Sequence, residues 1–180
     1  LVSEADYIFC LDFNDLSRIN DLGEHVEKSA AQKVLIDHHR DPKGFENYRF
    51  WTVKTSSTCE LVFDFIREGG WGHLLDREMA ECLYTGIMTD TGSFRYDSSG
   101  SGTHRKVADL IDTGMDHAMV HQKVFDHFSL RRSRLMGYVL YKKLQVFETY
   151  QTALVTLNAE ELKEFNVQTG DTEGFVNFGL

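Results

Sequence analysis

The hydrophobic pattern opens with a short apolar run, Tyr7-Ile8-Phe9-Cys10-Leu11, that stops at Asp12, as a buried parallel strand does. Asn14-Asp15-Leu16-Ser17-Arg18 then opens a helix, with Asn14 or Asp15 as the cap. Lys33-Val34-Leu35-Ile36 is a second buried strand and runs straight into Asp37-His38-His39. Asp12 and Asp37 are 25 residues apart, near the short limit for a strand–helix–strand crossover. The carboxyl ends of two parallel strands are therefore expected side by side, and ligands of open α/β sheets bind at that edge.

Pro42 breaks the chain just after the histidine pair, and Ser57 to Glu60 has the spacing of a capping box. Leu61, Val62, Phe65 and Ile66 supply the apolar face of the helix that follows, and Gly69-Gly70 stops it. Asp76 to Met88 reads as another helix, ending near Thr89-Asp90-Thr91-Gly92. Two or three more helices are expected between Thr103 and Leu144, broken near Gly114 and Ser129. Beyond them the pattern alternates, at Val146-Phe147-Glu148 and at Thr152 to Leu157, as in a hairpin. The expected fold is α/β, a mainly parallel sheet flanked by helices over residues 1–143, followed over 144–180 by the start of a smaller α+β domain.

Composition changes this picture little: 42% hydrophobic and 26% charged residues in 180 are those of an ordinary globular chain. No apolar run approaches the roughly 20 residues needed to span a bilayer, so no membrane partner is expected. Charge narrows it more. With 28 acidic against 19 basic residues the net charge is −9, and no basic stripe offers itself to a long duplex nucleic acid. The densest basic run, Arg131-Arg132-Ser133-Arg134, reads as a solvated helix face. A small phosphorylated substrate remains open, because bound divalent cations reverse a local field. Cys10, Cys59 and Cys82 lie on apolar stretches without a CxxC pair, which points to buried free thiols and a reducing cytoplasm.

Three segments place oxygen or imidazole donors at the end of a regular element: Asp12 to Arg18, Asp37-His38-His39, and Gly86 to Tyr96 around Asp90. Mn²⁺ accepts mixed carboxylate and imidazole ligation. Two such ions about 4 Å apart suit in-line attack on a phosphoester. Each residue also has a plainer reading: a helix cap for Asp12, a packing feature for the His pair, a turn residue for Asp90. Three such segments in order are harder to obtain by accident.

In these segments the chain resembles the DHH phosphoesterase family. Asp37-His38-His39 is its namesake signature; Asp12 with Asn14, Asp15 and Arg18 resembles the preceding motif, and Gly86 to Gly92 the following one. The nearest branch is the small bacterial enzymes that degrade very short oligoribonucleotides and dephosphorylate 3′-phosphoadenosine 5′-phosphate. Similarity extends through Arg134 to Tyr138 and Gly170 to Asn177.

The resemblance implies that Asp12 bridges two Mn²⁺ ions, with Mg²⁺ as the alternative, and that His38 and Asp90 complete one ion's shell. It implies that His39 faces the substrate phosphate, that Asp37 orients an imidazole, and that Arg18 and Arg95 are weaker phosphate contacts. A small nucleotide or short RNA is the expected partner, with a homodimer left open. The family's first motif, a His and an Asp-x-Asp pair, is not among these residues, nor is its C-terminal Gly-Gly-Gly-His segment. Truncation at both ends is the expectation. A chain that lacked them in nature would be a non-catalytic binding domain, and hydrolysis of pyrophosphate, polyphosphate or a cyclic dinucleotide is the neighbouring enzymatic alternative.

Overall fold

The computed structural model describes residues 2–126 and 129–179. Three strands, β1 (Tyr7–Leu11), β2 (Gln32–Asp37) and β3 (Tyr48–Trp51), form one sheet in that order, and both pairings are parallel. Register sets Leu11 beside Ile36 and Asp37 beside Trp51. The ends of β1 and β2, where the acidic residues lie, are therefore neighbours. Between them run a short 3₁₀ turn, Leu16–Ile19, and helix α1 (Asp21–Lys28). Asp15 caps the turn by accepting from Ser17 N, while Asn14 donates instead to the Arg40 carbonyl.

Alternation along β2 sends successive side chains to opposite faces. Leu35 packs with Cys10 and Val26 on one face, and Val34 and Ile36 pack with Leu61 on the other. The strand is covered on both sides, as a parallel strand requires. β1 differs from the sequence expectation of a buried strand: Tyr7, Phe9 and Leu11 are 58%, 51% and 44% exposed. It stands at one edge of the sheet among the described residues, and only its alternate residues reach the core. β3 was not expected. Its four residues, Tyr-Arg-Phe-Trp, are too short a run to declare a period.

Helices α2 (Thr58–Glu68) and α3 (Arg77–Asp90) pack closely against each other. A Cβ on Gly86 would lie 2.1 Å from Cys59 Sγ, so the glycine inside α3 is a requirement of close approach. α4 (Ser101–Ile111) and α5 (His117–His121) complete a first compact unit, Leu1–His121. No described helix is long and apolar enough to cross a membrane.

The second compact unit, Gln122–Leu180, holds α6 (Leu130–Tyr138), a π-helical turn (Val139–Lys143), the antiparallel pair β4 (Gln145–Phe147) and β5 (Thr152–Leu154), and α7 (Ala159–Glu164). Its core is Leu135, Val139 and Phe175. The units divide between residues 121 and 122. The change of sequence pattern near 143 marks, inside the second unit, the passage from helix to hairpin. The basic run on α6 is not simply solvated. Arg131 grips the Asp171 carboxylate at 2.9 and 3.3 Å, and Arg132 donates to the Asp171 and Glu173 carbonyls. The cysteines are free thiols, but only Cys10 is buried as expected; Cys59 is half-buried and Cys82 is exposed.

Candidate functional site

Asp12 ends β1 with φ at 66°, a left-handed turn that Asp tolerates better than most residues. The turn begins as the Asp12 amide donates to the Ile36 carbonyl of the adjacent strand. Asp37 closes β2 fully buried; its Oδ1 lies 2.7 Å from His39 Nδ1, and its Oδ2 has no hydrogen-bond partner among the described residues. An ionised carboxylate only accepts, so Nδ1 carries the hydrogen in that pair and Nε2 is left as the free ring nitrogen. Trp51 Nε1 fixes the same segment from β3 by donating to the His39 carbonyl at 2.7 Å.

His38 stands between two carboxylates. Its Nε2 lies 3.7 Å from Asp12 Oδ1 and 3.8 Å from Asp90 Oδ2. His39 Nδ1 lies 3.9 Å from the same Asp12 oxygen, and the two imidazoles meet edge-on with centroids 4.8 Å apart. Thr58, the first residue of α2, donates its hydroxyl to Asp12 Oδ1 at 2.7 Å. The sequence suggested nothing more for Thr58 than a place in a helix start. Its partner is 46 residues away, a distance that no local pattern reveals.

Asp90 is the last residue of α3, where a carboxylate faces the negative end of the helix dipole. Burial raises its pKa, the charge of Asp12 raises it further, and the two histidines pull it down. A negative group at a helix C-terminus, near a second carboxylate, is an unfavourable arrangement that a cation would relieve. Asp12, His38 and His39 also offer ligand atoms all within 4.8 Å of one another. Asp90 is not within that group; it meets it through His38, whose Nε2 lies 3.8 Å from Asp90 Oδ2, and with Asp12 and His38 it would offer a carboxylate–imidazole donor set. Two carboxylates and one imidazole fit a borderline divalent metal such as Mn²⁺.

The structure thus brings Asp12, Asp37, His38, His39 and Asp90 to one edge of the sheet. The two arginines are placed differently. Arg18 is exposed at the end of the 3₁₀ turn, and Arg95 is exposed with its Nε donating to the Gly92 carbonyl at 2.7 Å. That bond closes a turn in which Gly92, Ser93 and Phe94 all have positive φ. Thr91, fully buried, supports the turn by accepting from the Phe94 amide. Cys59 lies below the cluster, and burial, reinforced by the charges of Asp90 and Asp12, pushes its thiol up to about 11. It is a packing residue against Gly86 and stays protonated near neutral pH.

Fold and site together define an α/β domain with a carboxylate–imidazole cluster at the carboxyl edge of a parallel sheet. Residues 1–87 match the model of the DHH family, N-terminal domain, and the chain belongs to that family. Among curated relatives it is 28% identical to the probable bifunctional oligoribonuclease and PAP phosphatase NrnA of Streptococcus mutans, over 98% of this chain and 56% of that protein. It is 23% identical to the bifunctional oligoribonuclease and PAP phosphatase NrnA of Bacillus subtilis, over 96% of this chain and 54% of that protein. A solved structure, an exopolyphosphatase-related protein from Bacteroides fragilis, superposes with a TM-score of 0.95 at 42% identity, covering 99% of this chain and 52% of the other. The chain spans about half the length of the proteins it matches.

Proposed function

We propose that the chain is the cluster-bearing half of a divalent-metal-dependent phosphoesterase that hydrolyses short oligoribonucleotides, 3′-phosphoadenosine 5′-phosphate, or both. The observation that carries this reading is the approach of two carboxylates from separate segments, Asp12 at 3.7 Å and Asp90 at 3.8 Å, to the one imidazole nitrogen His38 Nε2 at the sheet edge. The activities that the two NrnA relatives are named for support that substrate class.

Asp12, His38 and Asp90 would hold Mn²⁺, with Asp12 as the shared carboxylate because its Oδ1 lies nearest both imidazoles. Bound ions would supply an acidified water and countercharge for phosphoryl oxygens. Asp37 fixes the His39 ring and leaves Nε2 as the ring nitrogen that, once protonated, would donate to charge developing on the substrate. Arg18 and Arg95, both exposed, are the proposed phosphate contacts. The net charge of −9 favours a short substrate gripped at the cluster over a long nucleic acid gripped along its backbone.

A second reading, hydrolysis of polyphosphate, follows from the description of the Bacteroides fragilis protein as exopolyphosphatase-related. Turnover of the intact protein with Mn²⁺ should be measured on two- to five-nucleotide RNA, 3′-phosphoadenosine 5′-phosphate, pyrophosphate, polyphosphate and a cyclic dinucleotide. Efficient cleavage of either of the first two supports the proposal. Turnover confined to polyphosphate would transfer support to the second reading.

A further inference from the structure

One carboxylate oxygen of Asp12, Oδ1, is placed beside both imidazoles, 3.7 Å from His38 and 3.9 Å from His39. That same oxygen takes the Thr58 hydroxyl at 2.7 Å. The side chain of Asp12 is 55% exposed, so packing alone does not fix its orientation. Thr58 is 4% exposed, which leaves little room for water to take over as donor.

The hydroxyl is also free for this task. Ser57, not Thr58, caps α2 by accepting from the Glu60 amide at 3.1 Å. The start of the helix is tied down independently of the cluster: Glu60, buried, accepts from the Ser56 amide and hydroxyl, from Thr103 and from Lys106. Thr58 therefore presents a rigidly held donor to an exposed acceptor.

We infer that Thr58 is a positioning residue: its hydroxyl orients the Asp12 carboxylate, occupying one lone pair of Oδ1 and leaving the other directed toward the histidines. This rests on the proposed metal-binding role of Asp12. Groups that orient a metal ligand by hydrogen bonding typically change affinity by about ten- to a hundred-fold when removed.

The test compares Thr58→Val, which keeps shape and loses the hydroxyl, with Thr58→Ser, which keeps the hydroxyl. Mn²⁺ affinity of the intact protein is measured by calorimetric titration with the metal alone, beside kcat and KM on a dinucleotide and a thermal melt. Thr58→Val should bind Mn²⁺ about ten-fold more weakly and lose kcat, while Thr58→Ser recovers most of the affinity. Parental Mn²⁺ affinity in Thr58→Val, or an equal loss in both variants, would overturn the inference. Asp12→Ala is run in parallel. Loss of Mn²⁺ binding there with none in Thr58→Val defeats the positioning role alone, whereas parental Mn²⁺ binding in Asp12→Ala defeats the metal reading and this inference with it.

Discussion

Replacing Lys106 with Met would leave the most buried acid of α2 without its cation. Lys106 Nζ lies 2.8 Å from Glu60 Oε1 and 2.6 Å from Asp64 Oδ2. Glu60 is 5% exposed, and its burial raises its pKa, but the hydrogen bonds from Lys106 and Ser56 outweigh that and bring it down to about 2 from 4.5. At about 1.36 kcal/mol per pH unit the lowering amounts to about 3 kcal/mol.

The sign follows from the direction. A carboxyl whose folded pKa is depressed contributes fully above its unfolded value, here above about pH 4.5, and loses that contribution as pH falls toward 2. Ser56 and Thr103 still donate to Glu60 in Lys106→Met, which keeps the loss near the lower end of the ~3–5 kcal/mol typical of a broken buried pair. Urea denaturation should therefore show Lys106→Met about 3 kcal/mol less stable than the parent at pH 7. At pH 3 the gap should shrink to about 1 kcal/mol, because the unfolded chain then holds a proton on Glu60. A gap below about 0.5 kcal/mol at pH 7, or an equal gap at both pH values, would refute the ion-pair reasoning.

Two further substitutions test packing and capping. Gly86→Ala places a Cβ 2.1 Å from Cys59 Sγ. Overpacking costs ~1–3 kcal/mol and helix propensity returns up to ~1, so a net loss of about 1–2 kcal/mol is expected in urea. A variant as stable as its parent would show that α2 and α3 pack less tightly. In the second unit, Asn158 and Glu161 form a reciprocal capping box. Asn158→Ala should cost about 1 kcal/mol, read as a lower denaturation midpoint, and no change in midpoint would deny the cap a part in stability.

The central strand was legible because Lys33 to Ile36 is an unbroken apolar-rich run that ends on chemistry-bearing residues, and burial on both faces is what such a run records. The edge position of β1 was not legible. Tyr7-Ile8-Phe9-Cys10-Leu11 is as apolar as a central strand, and only pairing decides which side chains are covered. Asp12, Asp37, His38 and Asp90 could be named because each lies at, or one residue past, the end of an element. What links them could not, since Thr58 reaches Asp12 across 46 residues. Glu60 shows the same limit. The capping-box spacing was half realised: Ser57 accepts from the Glu60 amide, but the Glu60 carboxylate turns to Ser56 and to Lys106 on another helix. Arg131 and Arg132 read as solvated for the same reason, their partner Asp171 lying about forty residues on.

The claim that the Asp12 cluster is a metal-dependent phosphoesterase site is tested most directly by steady-state kinetics of Asp12→Ala and His39→Ala in the intact protein at saturating Mn²⁺, on a two- to five-nucleotide RNA and on 3′-phosphoadenosine 5′-phosphate. If Asp12 holds the metal, its loss would remove both the activated water and the countercharge on phosphate, whereas losing one donor costs roughly a hundred- to a thousand-fold. Asp12→Ala should therefore fall by several orders of magnitude and further than His39→Ala. Near-parental turnover in Asp12→Ala on either substrate would contradict the account.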